Sequence, residues 1–438
     1  MRKFRPSKGL QNEGRMNNHR LIYVYADWEG LKVPHLMGVL ESQRVRGKEV
    51  FSFEYEKEWL QNEAAQFLDP DLYLFEGRQF LPYEKPNFGL FTDSSPDRWG
   101  RVLMQRREAA IARKESRPIP SLFESDYLLG VYDEFRMGAL RFKLDPDGPF
   151  LSNDTELSAP PWARIRSLEE ISLELEKDNA VNNPEYLKWL NVLIAPGSSI
   201  GGARPKAAVV DEQNHPWIAK FPSKNDDQDI GAWEMVVQIL AGKAGVLMAP
   251  AKVQCFTSRY HKFITKRFDR TESGNRLHFA SAMTLLGYTD GDNAHDGVSY
   301  LELAQFISDQ GSNIKPDLEQ LWRRIVFSLC VKNTDDHLRN HGFLLESNGW
   351  RLSPAYDLNP NETGNGLSLN ISEHDNSLDF NLAMEVSPYF RLSKQCAQKI
   401  IQEVKATVRS WREVASQLKI AASEQEMKAR AFELAFDD

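Results

Sequence analysis

Hydrophobic periodicity switches along this chain, and the switches limit the folds open to it. Residues 21–80 read as strands. Leu21-Ile22-Tyr23-Val24-Tyr25 is a buried-strand candidate, and Val50-Phe51-Ser52-Phe53-Glu54-Tyr55 alternates with the period of two expected of a half-buried strand. From Asp97 the pattern turns helical through Trp99, Val102, Leu103 and Met104, and the basic Gln105-Arg106-Arg107 that follows is expected to be a solvated helix face. Residues 192–270 return to short strands at 207–210, 217–221 and 262–268, around one helix over 233–244 that Gly245 ends. From about residue 280 the chain is mostly helical. Leu321, Trp322, Ile325, Val326 and Leu329 form an apolar stripe over 318–331, and residues 393–418 read as one long amphipathic helix. Ser423-x-x-Glu426 is a capping-box signature for the last helix.

A chain of 438 residues predicts two to four domains at roughly 100–200 residues each. The Asp-, Pro-, Ser- and Gly-rich stretch 145–165 suggests a boundary. The predicted divisions are a flexible basic extension (1–20, with Met16 as an alternative start), a β-rich subdomain (21–145), a strand-rich lobe (146–272) and a helical lobe (273–438). The fold class is α+β. A net charge of −8 gives the surface no general attraction for DNA or anionic lipid. Cys255, Cys330 and Cys396 form no C-x-x-C pair, so a structural zinc site is not expected. There is no apolar run of membrane-spanning length and no signal-peptide core, which predicts a cytoplasmic protein without a membrane partner.

Four segments between residues 197 and 357 suggest phosphoryl transfer. In Gly197-Ser198-Ser199-Ile200-Gly201-Gly202-Ala203-Arg204-Pro205-Lys206, paired glycines let backbone N–H groups approach an anion, the serines add donors and Lys206 adds charge. A plain turn is the alternative. Lys220 lies in a buried-looking strand, where an ammonium needs a partner, and Glu234 follows on a candidate helix. A water-facing edge lysine is the alternative. Asp335 and Asn340, in Asn333-Thr334-Asp335-Asp336-His337-Leu338-Arg339-Asn340, have the D-x-x-x-x-N spacing of a kinase catalytic loop. The carboxylate would accept a hydroxyl proton, and the neutral carboxamide would bind Mg2+. Asp357 follows a predicted hairpin that turns at Ser347-Asn348-Gly349, so it would return close to Asn340 as a second magnesium ligand. Here a turn or cap aspartate is the alternative. Together the four stand in kinase order.

With these strings the chain resembles the HipA family of serine/threonine kinases, the toxin half of a toxin–antitoxin module. Lys266-Arg267-Phe268-Asp269-Arg270 and Leu352-Ser353-Pro354-Ala355-Tyr356-Asp357 support the resemblance. So does Phe88-Gly89-Leu90-Phe91-Thr92-Asp93-Ser94-Ser95-Pro96-Asp97-Arg98-Trp99-Gly100-Arg101, which is similar to the family's N-terminal signature. The resemblance runs from about residue 21 to the C-terminus. It implies a two-lobed kinase-like fold with an N-terminal β-rich subdomain and a mostly helical C-terminal lobe. It further implies that Ser199, Ile200, Gly201, Gly202, Ala203, Arg204 and Lys206 form the ATP loop, with Lys220 and Glu234 at the phosphates. Lys266, Arg267 and Phe268 would be the hinge beside the adenine, with His337 also on the ATP side. Asp335 would be the catalytic aspartate, and Asn340 and Asp357 would hold Mg2+. Ser199, or the adjacent Ser198, would be autophosphorylated, and the added charge would then disfavour nucleotide. Implied partners are a HipB-like antitoxin, operator DNA only through that antitoxin, and a protein substrate such as an aminoacyl-tRNA synthetase.

Asp336, directly beside Asp335, stands where some members of the family have glycine. It is expected to point away from Asp335 and to bind loop backbone, and the adjacent charges could raise one pKa. Three rivals stay open: an antitoxin-binding co-repressor with little kinase activity, a degenerate kinase that binds ATP without chemistry, and a stand-alone kinase without toxicity. His337 and His341 lack the glutamate of H-E-x-x-H, so a metalloprotease is not expected. Counting from Asp290, Ala294 at position five and Leu301 at position twelve fall where a calcium loop needs oxygen ligands, which leaves 290–297 as an acidic surface loop.

Overall fold

The computed structural model describes residues 19–81, 85–194, 202, 204–256 and 258–437. Three antiparallel sheets organise it. The first contains β1 (His19–Ala26), β2 (His35–Val45), β3 (Lys48–Tyr55), β4 (Arg78–Phe80) and β5 (Leu140–Lys143), in the order β4-β3-β2-β1-β5. Its inward side chains include Ile22, Val24, Leu40 and Phe53, and Phe53 is one of the period-two residues expected from the sequence. The second contains β6 (Lys206–Val210), β7 (Pro216–Lys220), β8 (Ala251–Gln254) and β9 (Lys262–Lys266), in the order β6-β7-β9-β8. The third is β10 (Phe279–Ser281) beside the hairpin β11 (Gly342–Glu346) and β12 (Gly349–Leu352). Gly349 takes φ +133 at the end of that hairpin's turn, a backbone angle open chiefly to glycine.

Among the described residues two large apolar cores hold these layers, with a small third cluster of Met137, Phe279 and Tyr356. One runs from the first sheet to the C-terminal helices and includes Trp233, Val236 and Leu240 of the helix Ile230–Lys243 and Leu321, Ile325 and Val326 of the helix Ile314–Val331. The other lies behind the second sheet, where Ala207, Val209 and Ala219 meet Leu168, Leu190 and Leu193. Trp99 and Leu103, from the helix Arg98–Lys114, belong to this second core. The N-terminal subdomain is thus welded to both lobes. Arg136 braces the N-terminal subdomain from within. Its buried guanidinium donates to the carbonyls of Ser94 (2.8 Å), Leu128 (2.7 Å), Val131 (3.0 Å) and Leu151 (2.9 Å).

Three expectations are corrected. The stretch 393–418 is two helices, Lys394–Val408 and Trp411–Gln417, with a break at Arg409 and Ser410. The apolar stripe continues across the break through Val408, Trp411 and Val414, so periodicity alone did not mark it. Ser423 sits inside the helix Ala422–Lys428, whose N-cap is Ala421 without a side-chain bond, so no capping box forms. Arg106 and Arg107 are half-buried rather than a solvated face: Arg106 reaches the Leu175 carbonyl at 3.3 Å and Arg107 reaches Asp154 at 3.3 Å. Among the described residues no helix is long and apolar enough to cross a membrane.

Candidate functional site

Strands β6 and β7 pair with Lys206 directly opposite Lys220. Like charges facing each other across a ladder repel, so each needs its own counter-charge. Lys220 receives two. Its ammonium donates to Glu234 Oε1 at 2.6 Å and to Asp357 Oδ1 at 2.5 Å. Glu234 is held by the helix Ile230–Lys243, which starts where Asp229 accepts from the Ala232 N–H and stops before Gly245 (φ +81). Asp357 lies past the hairpin in a left-handed conformation, φ +57, an angle non-glycine residues seldom adopt without a local reason. Burial pushes the Asp357 carboxyl up, but the Lys220 charge and hydrogen bond outweigh it and hold the group at about 2. Burial raises Glu234, with Lys220 opposing. Burial lowers the Lys220 ammonium, but the charges of Asp357 and Glu234 reverse this, so it stays protonated.

Lys206 is committed elsewhere. Its ammonium donates to Asp97 Oδ2 at 2.8 Å and to the Gly202 carbonyl at 2.9 Å, and both side chains of the Lys206–Asp97 pair are 2% exposed. Asp97 also caps the helix Arg98–Lys114 through the Gly100 N–H (2.8 Å), and Trp99 Nε1 donates to the Lys206 carbonyl at 3.2 Å. The N-terminal signature therefore grips the segment expected to meet phosphates. Lys206 does not offer the free charge the sequence suggested. Arg204 is likewise occupied, in a two-pronged pair with Asp226 at 3.0 and 2.5 Å. Ser198, Ser199, Ile200, Gly201 and Ala203 lie outside the described residues.

The expected hinge is part strut. Arg267 donates to Asp269 (2.9 and 2.6 Å) and to the Phe135 carbonyl (2.6 Å), and Lys266 pairs with Glu272 at 2.6 Å. Asp269 is buried, yet Arg267 and Arg270 overcome burial and hold it at about 2. Phe268 packs on Tyr356 with ring centres 5.5 Å apart. The narrow cavity beside Lys220 is walled instead by Ile218, Phe263, Thr265, Ala355 and Leu358.

The helix Ile314–Val331 ends at Lys332 in a left-handed turn (φ +48), which delivers the catalytic-loop candidate. Several bonds tie that loop to the Asp357 segment: Asn359 N–H to Asn333 Oδ1 (3.0 Å), Asn361 Nδ2 to Thr334 Oγ1 (2.7 Å) and Tyr356 O–H to the Arg339 carbonyl (2.7 Å). Asn340 donates its Nδ2 to the Asp335 carbonyl at 2.9 Å, which fixes which end of the amide is oxygen. Asp335 is exposed and lines a cavity of about 690 Å3, with His337, Gly202 and Asp290 also on its walls. Although much of the side chain meets solvent, partial burial of its carboxyl raises the Asp335 pKa, His337 opposes this, and Asp357 and Asp336 add to it. Asp336 does turn away, but not to loop backbone. It accepts from Tyr300 O–H at 2.5 Å and lies 3.1 Å from His341 Nε2. Tyr300 carried no sequence signal beyond its place in the mostly helical half, and Asp97 was visible only as the start of a helical pattern and as part of the N-terminal signature. The stretch 290–297 is not merely surface, since Asp290 pairs with Arg339 at 3.2 Å and walls the cavity.

Comparison with known proteins fits this geometry. Residues 198–411 match the HipA-like C-terminal domain family. This segment is a HipA-like C-terminal domain. A Haemophilus influenzae (strain ATCC 51907 / DSM 11121 / KW20 / Rd) protein named a putative kinase is 27% identical over 205 residues, 41% of this chain; the match spans only 59% of that protein's own length. The solved Shewanella oneidensis MR-1 toxin–antitoxin complex of HipA, HipB and operator DNA contains a chain that superposes with a TM-score of 0.65 at 19% identity, covering 94% of this chain and 95% of that one. That likeness extends the two-lobed α+β kinase-like fold beyond the HipA-like domain to nearly the whole chain. The Helicobacter pylori proinflammatory kinase CtkA is more distant, at 13% identity and a TM-score of 0.32 over 52% of this chain and 95% of that one.

Two predictions follow from the paired lysines. Asp97→Asn leaves the buried Lys206 charge unpartnered and should cost about 3–5 kcal/mol in urea unfolding at neutral pH. A loss within experimental error would show that the pair does not hold the loop. Asp357 titrates near 2 when folded and near 3.9 when unfolded, so its stabilisation is complete above about pH 4 and fades as pH falls towards 2. Lys220→Met should raise the folded Asp357 pKa and make this acid loss begin at higher pH, read from melting temperature against pH.

Proposed function

We propose that the chain is an ATP-dependent protein kinase that transfers a γ-phosphoryl group to a serine or threonine hydroxyl. The observation that carries this reading is the Lys220 ammonium clasped by Glu234 and Asp357 beside the Asp335–Asn340 loop. Phosphoryl transfer needs little covalent help from the protein, only positioning and charge. Lys220, held by Glu234, would take the nucleotide phosphates. The base would enter the slot between Ile218, Phe263, Ala355 and Leu358, with residues 266–268 as the connecting segment and the 199–206 loop over the phosphates. Asp335 would orient the acceptor hydroxyl and take its proton as the new O–P bond forms and ADP departs. Its raised pKa improves it as a proton acceptor while leaving the role of base intact.

The residues present fit magnesium. Asp357 is an ionised oxygen donor, and Asn340, its Nδ2 bonded to a carbonyl, has a neutral amide oxygen for the other position. Among the described residues no group of three or more His, Cys, Asp or Glu gathers as a metal site. Mg2+ needs only one or two such side chains when phosphates and water complete its shell. Bound there with nucleotide, it would neutralise charge on the phosphates.

The same reading makes the protein a cytoplasmic toxin. A HipB-like antitoxin would be its partner, operator DNA would be reached only through that antitoxin, and an aminoacyl-tRNA synthetase is a candidate substrate. Phosphate on Ser199 or Ser198 would place about −1.5 to −2 charge where ATP phosphates go, and so switch the kinase off. The test is incubation with Mg-ATP followed by intact and peptide mass spectrometry. One added phosphate on Ser199 or Ser198 is expected. Asp335→Asn should slow its appearance by about 10²–10⁴-fold. Phosphate appearing equally fast in that variant would exclude Asp335 as the base.

A further inference from the structure

Asp336 directly follows Asp335, so whatever fixes one side chain limits where the other can go. Asp336 is 1% exposed. Tyr300 O–H donates to its Oδ2 at 2.5 Å, Ser328 Oγ lies 3.4 Å from the same oxygen, and His341 Nε2 lies 3.1 Å from Oδ1. The Tyr300 bond has the length of a charge-assisted contact, roughly twice as strong as a neutral one. Burial and the Asp336 charge push the Tyr300 hydroxyl up, so it keeps its proton and acts as the donor. The Tyr300 ring is fully buried and meets the His341 ring edge-on, with centres 5.6 Å apart.

The backbone of Tyr300 belongs to the wall of the Asp335 cleft. Tyr300 opens the helix Tyr300–Gln310, behind Ser299, whose N–H donates to Glu302 Oε2 at 3.0 Å. Its own N–H donates to the Asn370 carbonyl at 2.9 Å. Asn370 is buried, and it donates from its N–H to the Val298 carbonyl (2.9 Å) and from Nδ2 to the Ala294 carbonyl (2.9 Å). The Ala294 N–H donates to the Ser368 carbonyl (2.8 Å), and Ser368 Oγ donates to the Thr334 carbonyl (2.8 Å). Ala294, Ser368, Thr334 and Asp335 all line the cavity of about 690 Å3. This chain of bonds leaves the catalytic loop at Asp336, crosses the cleft wall and returns to the loop at Thr334. The Tyr300 hydroxyl closes the circuit.

Building on the kinase reading above, we propose that Tyr300 is a positioning residue for phosphoryl transfer: its hydroxyl, through Asp336, sets Asp335 against the wall that receives the acceptor. Fully buried, Tyr300 does not line the cleft, and it acts only on where the base stands. That is enough to matter, since a displacement of about 1 Å can cost about 100-fold in rate. Without the hydroxyl, Asp336 keeps only its contacts with Ser328 and His341, and the loop can turn about Asp335.

The test is Tyr300→Phe in the full chain, which keeps the ring and the backbone bond to Asn370 and removes only the O–H. The first readout is the rate of phosphate uptake from Mg-ATP, followed by intact mass over a range of ATP concentrations. The maximal rate should fall by about tenfold to 100-fold, while the half-saturating ATP concentration stays within about twofold of wild type. Asp336→Ala should lose as much, and the double variant no more than either single one, because the two residues act as a unit. Tyr300→Phe decides the matter if Asp336→Ala does not fold. A merely structural role would lower the melting temperature without this split. The second readout is amide hydrogen exchange, which should quicken over 334–341 in Tyr300→Phe and stay unchanged in the helix Ile314–Val331. The proposal is overturned if the maximal rate stays within about twofold, if the losses multiply in the double variant, if the loss appears only as weaker ATP binding, or if exchange over 334–341 does not change. A wild type that takes up no phosphate would instead overturn the kinase reading, and the exchange result would still decide whether Tyr300 fixes the loop.

Discussion

A buried ammonium organises this protein. Lys220 cannot stay charged in its strand without carboxylates, and the two that reach it come from a helix and from the far end of a hairpin. Its cross-strand neighbour Lys206 poses the same problem, and Asp97 of the N-terminal subdomain answers it. Two lysines on adjacent strands therefore draw together three parts of the chain. Removing one member of such a pair leaves an uncompensated buried charge, which costs far more than the intact pair contributes. The arrangement is consequently better understood as fixing geometry than as adding stability.

Around this centre the fold restricts motion where chemistry would need restriction. The loop bearing Asp335 and Asn340 is bonded through Asn333, Thr334 and Arg339 to the segment bearing Asp357. Asp336, next to the candidate base, is anchored below by Tyr300 and His341. Such bonds set the two candidate magnesium ligands and the base relative to one another before any ligand arrives, the preorganisation that electrostatic catalysis relies on. The open side of Asp335 faces the larger cavity, which has room for an acceptor hydroxyl.

The sequence revealed the scaffold better than the wiring. Strands β1, β3, β6, β7 and β9 were legible because alternation and apolar runs are local signals, and the hairpin before Asp357 was legible from its Ser-Asn-Gly turn. Lys220 and Glu234 meet as their spacing suggested, because a strand followed by a helix returns one to the other. Lys206, Arg204 and Arg267 were read as ligand-facing, yet each is bound to a carboxylate: Asp97, Asp226 or Asp269. The Lys206 partner lies 109 residues away, beyond any local pattern. Asp336 shows the same limit. Its turn away from Asp335 follows from repulsion, but its partner Tyr300 depends on how two distant helices pack.

The most direct test of the Lys220–Asp357 centre is the affinity for ATP with and without Mg2+, compared between wild type and Asp357→Asn. The account predicts that wild type binds Mg-ATP much more tightly than ATP alone, and that Asp357→Asn abolishes most of that magnesium dependence. Equal magnesium dependence in the two proteins would contradict it.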